Sequence, residues 1–62
     1  MKLIFIGEDG SMGFNRGRTY DCMISAQTGS NRIDIAAFAD GKFLRCPYSS
    51  LKKMLENWLE VQ

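Results

Sequence analysis

The sequence predicts an α+β fold that is mainly β, with a curved antiparallel sheet of about four strands followed by one C-terminal amphipathic helix. Three observations support this prediction. Apolar and alternating segments fill most of the chain, two short turn signals join them, and an apolar stripe with helical spacing lies at the end. With 62 residues there is room for a single domain, spanning residues 1–62, whose core supplies little excess stability.

The strands are predicted from apolar runs and alternation. Residues 3–6 are apolar at every position, as in a strand that is covered on both faces or closes a small barrel. The next segment holds glycines at positions 7, 10, 13 and 17, which predicts a long irregular loop. Further strands are predicted over residues 18–27, 31–39 and 42–48.

Two turn signals set the register of the sheet. Asp40-Gly41 is typical of a type I′ hairpin turn because both residues tolerate positive φ, and Gly29-Ser30 suits a two-residue turn led by glycine. Together the turns place these residues opposite each other: Ala26 and Ile33, Ile24 and Ile35, Cys22 and Ala37, Ala37 and Leu44, Ile35 and Cys46, and Phe38 and Phe43.

This register divides the sheet into a core face and an outer face, which a slip by one residue would exchange. The predicted core face consists of Tyr20, Cys22, Ile24, Ala26, Ile33, Ile35, Ala37, Leu44, Cys46 and Tyr48. The outer face holds Thr19, Asp21, Met23, Ser25, Gln27, Arg32, Asp34, Ala36, Phe38, Phe43, Arg45 and Pro47.

The C-terminal helix is predicted over residues 50–59, with Ser49 or Ser50 as its N-cap. Its apolar residues recur at i, i+3, i+4, i+7 and i+8, and we expect this stripe to cover the core face of the sheet. An exposed helix that binds a groove or a membrane would leave the sheet without a cover. The stripe consists of Leu51, Met54, Leu55, Trp58 and Leu59.

The two cysteines are expected to be free, buried thiols. In the predicted register Cys22 and Cys46 share a face but lie two strands apart, a lateral distance of about 9–10 Å. A disulfide requires Cα atoms within about 7 Å. In addition, a chain without a signal peptide is expected in reducing surroundings.

The residue content argues against catalysis. The chain has no histidine, so neither a Ser-His-Asp set nor a His-activated cysteine can form, and two cysteines alone cannot complete a tetrahedral metal site. Glu8 and Asp9 are neighbours in a loop, a pattern typical of a solvated turn. We therefore expect no enzymatic activity, no metal and no cofactor.

The outer face holds the predicted binding residues. Phe38 and Phe43 are expected side by side across the second hairpin, and aromatic rings among arginines can stack with bases of single-stranded nucleic acid. The same patch would suit a subunit interface, or burial against the first strand or the glycine loop. The predicted binding set is Met23, Arg32, Phe38, Lys42, Phe43 and Arg45.

Charge and the N-terminal segment bear on partners and location. The net charge of +1 gives no general attraction to nucleic acid. Met1 begins an apolar run that is too short for a signal peptide or a membrane span, so we expect a cytoplasmic protein, complete as given, with no membrane partner.

Three segments carry a resemblance to a known family. Residues 1–7 (MKLIFIG), 17–22 (GRTYDC) and 46–51 (CPYSSL) resemble the small SH3-like proteins common in bacteriophage and prophage genomes. The resemblance implies an SH3-like small barrel, a viral or prophage origin and no enzymatic activity, and it brings no binding residues. Where those proteins have a last short strand, a full helix is predicted here. Four strands followed by a helix is also the order of the PC4-like sheet, the single-strand-binding fold of a transcriptional coactivator.

Two functions are therefore predicted. The first is a small non-enzymatic interaction module, phage- or prophage-encoded, that binds a host or viral protein or self-associates through the outer face. A homo-oligomer is expected in that case, with a dimer favoured. The alternative is a small dimeric nucleic-acid-binding protein that uses the same aromatic residues with Arg32, Lys42 and Arg45.

Overall fold

The fold is mainly β, as predicted, and contains one open five-stranded antiparallel sheet. The computed structural model describes residues 1–61. Its strands are β1 (Lys2–Phe5), β2 (Thr19–Ala26), β3 (Ile33–Ala39), β4 (Lys42–Tyr48) and β5 (Trp58–Glu60), with one short helix, α1 (Leu51–Leu55), and a 3₁₀ turn at Ser11–Gly13. The strands lie in the order β4-β3-β2-β1-β5, so the first and last strands pair at one side of the sheet.

The predicted register of the two hairpins is confirmed in every pair. Asp40 and Gly41 have φ values of 54° and 75°, the backbone of a type I′ turn. At the other hairpin the Gln27 N–H donates to the Arg32 carbonyl, so the connection has four residues, 28–31, rather than two. The centre of that turn is unchanged, which is why the register was predicted correctly.

The predicted helix over residues 50–59 is wrong beyond residue 55. Ser50 caps the helix as expected, accepting from the Lys53 N–H at 3.2 Å. The Asn57 side chain then donates to the Lys53 carbonyl at 2.9 Å and closes the last turn. The chain leaves as β5, where Trp58 pairs with Phe5 of β1.

Only part of the predicted apolar stripe is buried. Met54 and Trp58 lie in the core, whereas Leu51, Leu55 and Leu59 are more than half exposed. Pairing with β1 determines this outcome, because it satisfies the backbone of β5 and places the largest side chain at the centre of the core. No helix among residues 1–61 is long and apolar enough to cross a membrane.

Four aromatic side chains form the centre of the core. The Trp58 ring lies 5.0 Å from Phe5, 4.9 Å from Phe14 and 6.0 Å from Tyr20, all in edge-to-face geometry. Its indole N–H donates to the Tyr48 hydroxyl at 2.9 Å, so the buried polar atom has a partner. Burial is the main cause that raises the pKa of Tyr48.

The glycine-rich segment between β1 and β2 is held by Phe14, which is completely buried. Phe14 packs edge-to-face against Tyr20, and the Asn15 N–H donates to the Tyr20 hydroxyl at 2.8 Å. At the start of the loop, a Cβ atom on Gly7 would overlap Asn57 Oδ1 and the Phe5 ring, so glycine is required there. The loop is thus irregular, as predicted, but fixed to the core.

The predicted core face is correct near the aromatic residues and wrong at the far end of β2. Ile35 and Ala37 of β3 are buried, as are Tyr20 and Cys22 of β2. Ile24 is 39% exposed and Ala26 is exposed, because β1 pairs only with the first part of β2. Both cysteines are free, Cys22 buried and Cys46 half-buried.

Removing the indole of Trp58 should remove most of the core. We expect Trp58→Ala to lower the free energy of unfolding by about 3–5 kcal/mol, enough to unfold a domain of this size near ambient temperature. The matched control is Leu59→Ala in the same strand, where an exposed side chain should change stability by about 0.5 kcal/mol or less. Thermal melts followed by circular dichroism measure both, and equal shifts would contradict this description of the core.

The buried thiol should make stability fall in alkali. Burial is the main cause that raises the pKa of Cys22 from 9.0 to about 11. Because the thiol ionises first in the unfolded chain, the stabilisation is fully present below pH 9 and is lost as the pH rises through 11, by about 3 kcal/mol in total. The pKa of Tyr48 is also raised, and the stability that this contributes is lost mainly above pH 10. Urea titrations between about pH 8 and pH 10 therefore report mainly on Cys22. Over that range Cys22→Ala should have constant stability, and a decline equal to that of the parent would refute the assignment.

Candidate interaction surface

The outer face of the sheet carries three large apolar side chains in solvent. Met23 is 63% exposed, Phe38 71% and Phe43 60%. Phe38 and Phe43 lie directly opposite each other beside the type I′ turn, and Met23 lies opposite Ala36 one strand further in. We call these three residues the outer patch. The alternative that the patch packs beneath β1 or the glycine loop is wrong, since no element of residues 1–61 covers either phenylalanine.

A shallow groove of about 280 Å³ runs across β2, β3 and β4 beside these rings. Its presence follows from side-chain size, because the small Ala36 on the middle strand separates the longer Met23 and Arg45 on its two neighbours. The groove therefore offers an apolar floor with polar groups at one end. Its lining consists of Met23, Ser25, Asp34, Ala36, Phe43 and Arg45.

The two arginines of this face share one carboxylate. Asp34 accepts from Arg45 Nη2 at 2.6 Å and from Arg32 Nε at 3.5 Å. The hydrogen bond from Arg45 is the main cause that lowers the pKa of Asp34, so the carboxylate is ionised at neutral pH. The sequence placed Asp34 on this face but did not mark it as a site residue, although alternation sets it diagonally next to Arg45. It converts two free cations into an ionic cluster.

Two predicted binding residues lie apart from the outer patch. Lys42 pairs with Ala39, so strand alternation puts it in the row of core-face residues at the edge of the sheet, where its charge helps to lower the pKa of Asp40. Arg32 lines a second hollow of about 440 Å³ at the junction of the 28–31 loop with the end of β4. The structure therefore brings together Met23, Phe38, Phe43 and Arg45.

A second ionic contact steadies the hairpin that presents the rings. Arg18 donates two hydrogen bonds to the carboxylate of Asp40, at 2.7 and 3.2 Å, and its guanidinium lies 5.1 Å above the Tyr20 ring. The hydrogen bond from Arg18 is the main cause that lowers the pKa of Asp40. Sequence reasoning missed this pair because its members are separated by 22 positions. It ties the turn to the start of β2.

The side chains of this surface are suited to non-covalent binding. Exposed rings and a thioether supply apolar area, and an ion cluster beside them supplies hydrogen-bonding groups. Among residues 1–61 no three side chains of His, Cys, Asp or Glu come together in an arrangement that could hold a metal ion.

Comparisons with models of protein families, with curated proteins and with solved structures found no match to this chain.

Proposed function

We propose that the protein is a small non-enzymatic interaction module that binds a protein partner through the outer patch. The observation that carries the proposal is the exposure of Met23, Phe38 and Phe43 on one face, in a fold whose core is already complete without them. Single exposed apolar residues are ordinary, but a cluster of large ones beside a groove is typical of an interaction surface. The partner is a second copy of the chain or a host or viral protein.

The side chains of the outer patch are better suited to binding a protein than to binding nucleic acid. A few aromatic side chains in desolvated positions supply most of the binding energy in protein interfaces. Affinity for nucleic acid depends instead on cations that neutralise phosphates. Here the Arg32 and Arg45 side chains share the single carboxylate of Asp34, so one of their two positive charges is compensated before any partner arrives.

The topology supports the SH3-like alternative over the PC4-like one. The full helix that favoured a PC4-like sheet is reduced to the five residues of α1, and the short strand β5 stands where SH3-like proteins have their last strand. The strand order β4-β3-β2-β1-β5 is consistent with that arrangement. The phage or prophage origin is part of this proposal and is supported by the sequence resemblance. The cytoplasmic location is also part of it and is supported by the N-terminal apolar run, which is too short for a signal peptide or a membrane span.

One observation favours single-stranded nucleic acid as a second candidate ligand. Phe38 and Phe43 are adjacent, exposed rings of the kind on which bases stack. The cluster centred on Asp34 opposes this function, since a phosphate approaching Arg45 would have to compete with the carboxylate.

Removing the rings should abolish binding and leave the fold intact. We expect the double variant Phe38→Ala with Phe43→Ser to melt within about 1 kcal/mol of the parent, because only an exposed cross-strand pair is lost. Self-association, measured by sedimentation velocity, should weaken about tenfold or more, since truncation of one buried aromatic anchor costs at least 1–2 kcal/mol.

The matched control for this variant is Leu51→Ala with Leu55→Ser, which removes two exposed side chains from α1. A photo-crosslinking residue placed at position 38 or at position 55 extends the comparison to other proteins in cells. The proposal would be contradicted if the Phe38→Ala, Phe43→Ser variant folded and self-associated like the parent and if crosslinks to other proteins formed only from position 55.

Salt dependence separates the two candidate functions. We expect the parent to bind a fluorescent oligothymidylate weakly at about 50 mM salt and negligibly at about 200 mM, because few phosphates are neutralised. Asp34→Asn should strengthen that binding, since it frees the Arg32 and Arg45 side chains from their shared carboxylate. Asp21→Asn, which removes a carboxylate from the same face, is the matched control. Tight binding by the parent with a steep salt slope would make nucleic acid the primary ligand.

A further inference from the structure

Strand β4 is an edge strand with free backbone groups. Among residues 1–61 it pairs with β3 alone, and the two-residue turn makes Ala39 and Lys42 a hydrogen-bonded pair. Hydrogen-bonded and non-hydrogen-bonded pairs alternate along an antiparallel ladder, so Leu44 and Cys46 also bond to β3. The N–H and C=O groups of the residues between them point away from the sheet.

Pro47 lies in one of these outward positions, so the free edge of β4 has no N–H donor at position 47. A proline there loses no hydrogen bond to β3, because its nitrogen faces away from the sheet. The outward N–H donors of β4 are therefore those of Phe43 and Arg45, with the carbonyls of the same residues and of Pro47 as acceptors. The other edge, β5, has only three residues and includes the charged Glu60.

We propose that β4 of a second copy pairs antiparallel with this edge about a two-fold axis at Leu44. Phe43 then lies opposite Arg45 of the second copy, and Arg45 lies opposite Phe43 of the second copy. Since each copy offers two outward N–H groups in this register, four main-chain hydrogen bonds join the copies. The two sheets become one continuous sheet, and the two outer patches lie on the same side of it.

Side-chain chemistry selects this register from its neighbours. A two-fold axis at Arg45 would place the two Arg45 side chains opposite each other, a like-charge pair that destabilises a sheet. An axis at Phe43 would confine pairing to residues 41–45, which begin inside the turn. With the axis at Leu44, each Phe43 ring instead faces the side chain of Arg45, and no like charges lie opposite each other.

The pairing is compatible with the contacts already made by these side chains. Arg45 reaches to Asp34 on the neighbouring strand β3 at 2.6 Å, so its aliphatic stem lies along the outer face, where a Phe43 ring from the second copy can cover it. On the core side, the two Leu44 side chains meet at the axis, and Leu44 is half-buried against the core in one copy. Charge and apolar area are therefore complementary to a copy of the same strand.

This dimer rests on the proposed function, because it names a second copy as the partner and shares Phe43 with the outer patch. It depends, however, on backbone groups of β4 that the outer patch does not use.

The main test is Arg45→Pro, which removes an outward N–H from β4 in the same way that Pro47 already lacks one. Arg45→Gln is the matched control, since it removes the charge and keeps the N–H.

By sedimentation velocity, we expect Arg45→Pro to weaken dimerisation about tenfold or more and Arg45→Gln to weaken it less. Equal losses in the two variants, or a dimer that persists in Arg45→Pro, would overturn edge pairing. The Phe38→Ala variant separates the two proposals, since it alters the outer patch on β3 and leaves the β4 edge unchanged. Dimer loss in Arg45→Pro but not in Phe38→Ala would support the edge and reject the patch as the dimer surface.

Hydrogen exchange in the parent protein gives a test that does not depend on a folded proline variant. The amides of Phe43 and Arg45 should gain protection as protein concentration rises, whereas those of Leu44 and Cys46 should be protected at every concentration. The proposal would be overturned if exchange of all four amides did not depend on protein concentration up to about 1 mM. An edge dimer with a Kd above about 1 mM would have no useful stability.

Discussion

The packing of Trp58 against Phe5, Phe14 and Tyr20 is the interaction on which the rest of the structure depends. It joins four segments of the chain, namely β1, the glycine-rich loop, β2 and β5, and it adds side-chain packing to the backbone pairing of β1 with β2 and β5. Without the indole, β5 would lose its buried side chain, and Phe14 would keep Phe5 and Tyr20 as its aromatic neighbours. The hairpins of β2, β3 and β4 would keep their local pairing and lack a cover for their core face.

The outer face is free to serve a partner because this aromatic core lies wholly on the opposite side of the sheet. Alternation along β3 sends Ile35 and Ala37 into the core and leaves Phe38 exposed. The rings are presented by the paired strands β3 and β4, so the backbone beneath them is ordered by the sheet itself. A surface that is ordered before binding loses less conformational entropy when a partner covers it.

Most of the hairpin region could be predicted from sequence, because Asp40-Gly41 fixes a turn locally and alternation then determines both faces. The C-terminal segment could not, since the spacing of Met54 and Trp58 fits a helix equally well and only pairing with distant β1 decides between the two. Phe14 was similarly hidden, although an isolated phenylalanine in a glycine-rich loop was the available signal. Within the candidate site, Phe38 and Phe43 followed from register, and so did the negative charge of Asp34 on the same face, whereas its hydrogen bonds to Arg45 and Arg32 required side-chain distances.

The pairing of β1 with β5 has a consequence for how the chain folds. Leu3 lies opposite Glu60 and Phe5 opposite Trp58, so the contacts that complete the sheet join residues at opposite ends of the described chain. Pairings of such long sequence separation are slow to form, because loop closure must precede any gain in contact energy. During synthesis, the hairpins can form as soon as β4 has emerged from the ribosome, while the aromatic residues must wait for position 58. A chain that has not yet reached position 58 therefore leaves Phe5, Phe14 and Tyr20 without the indole that packs against them.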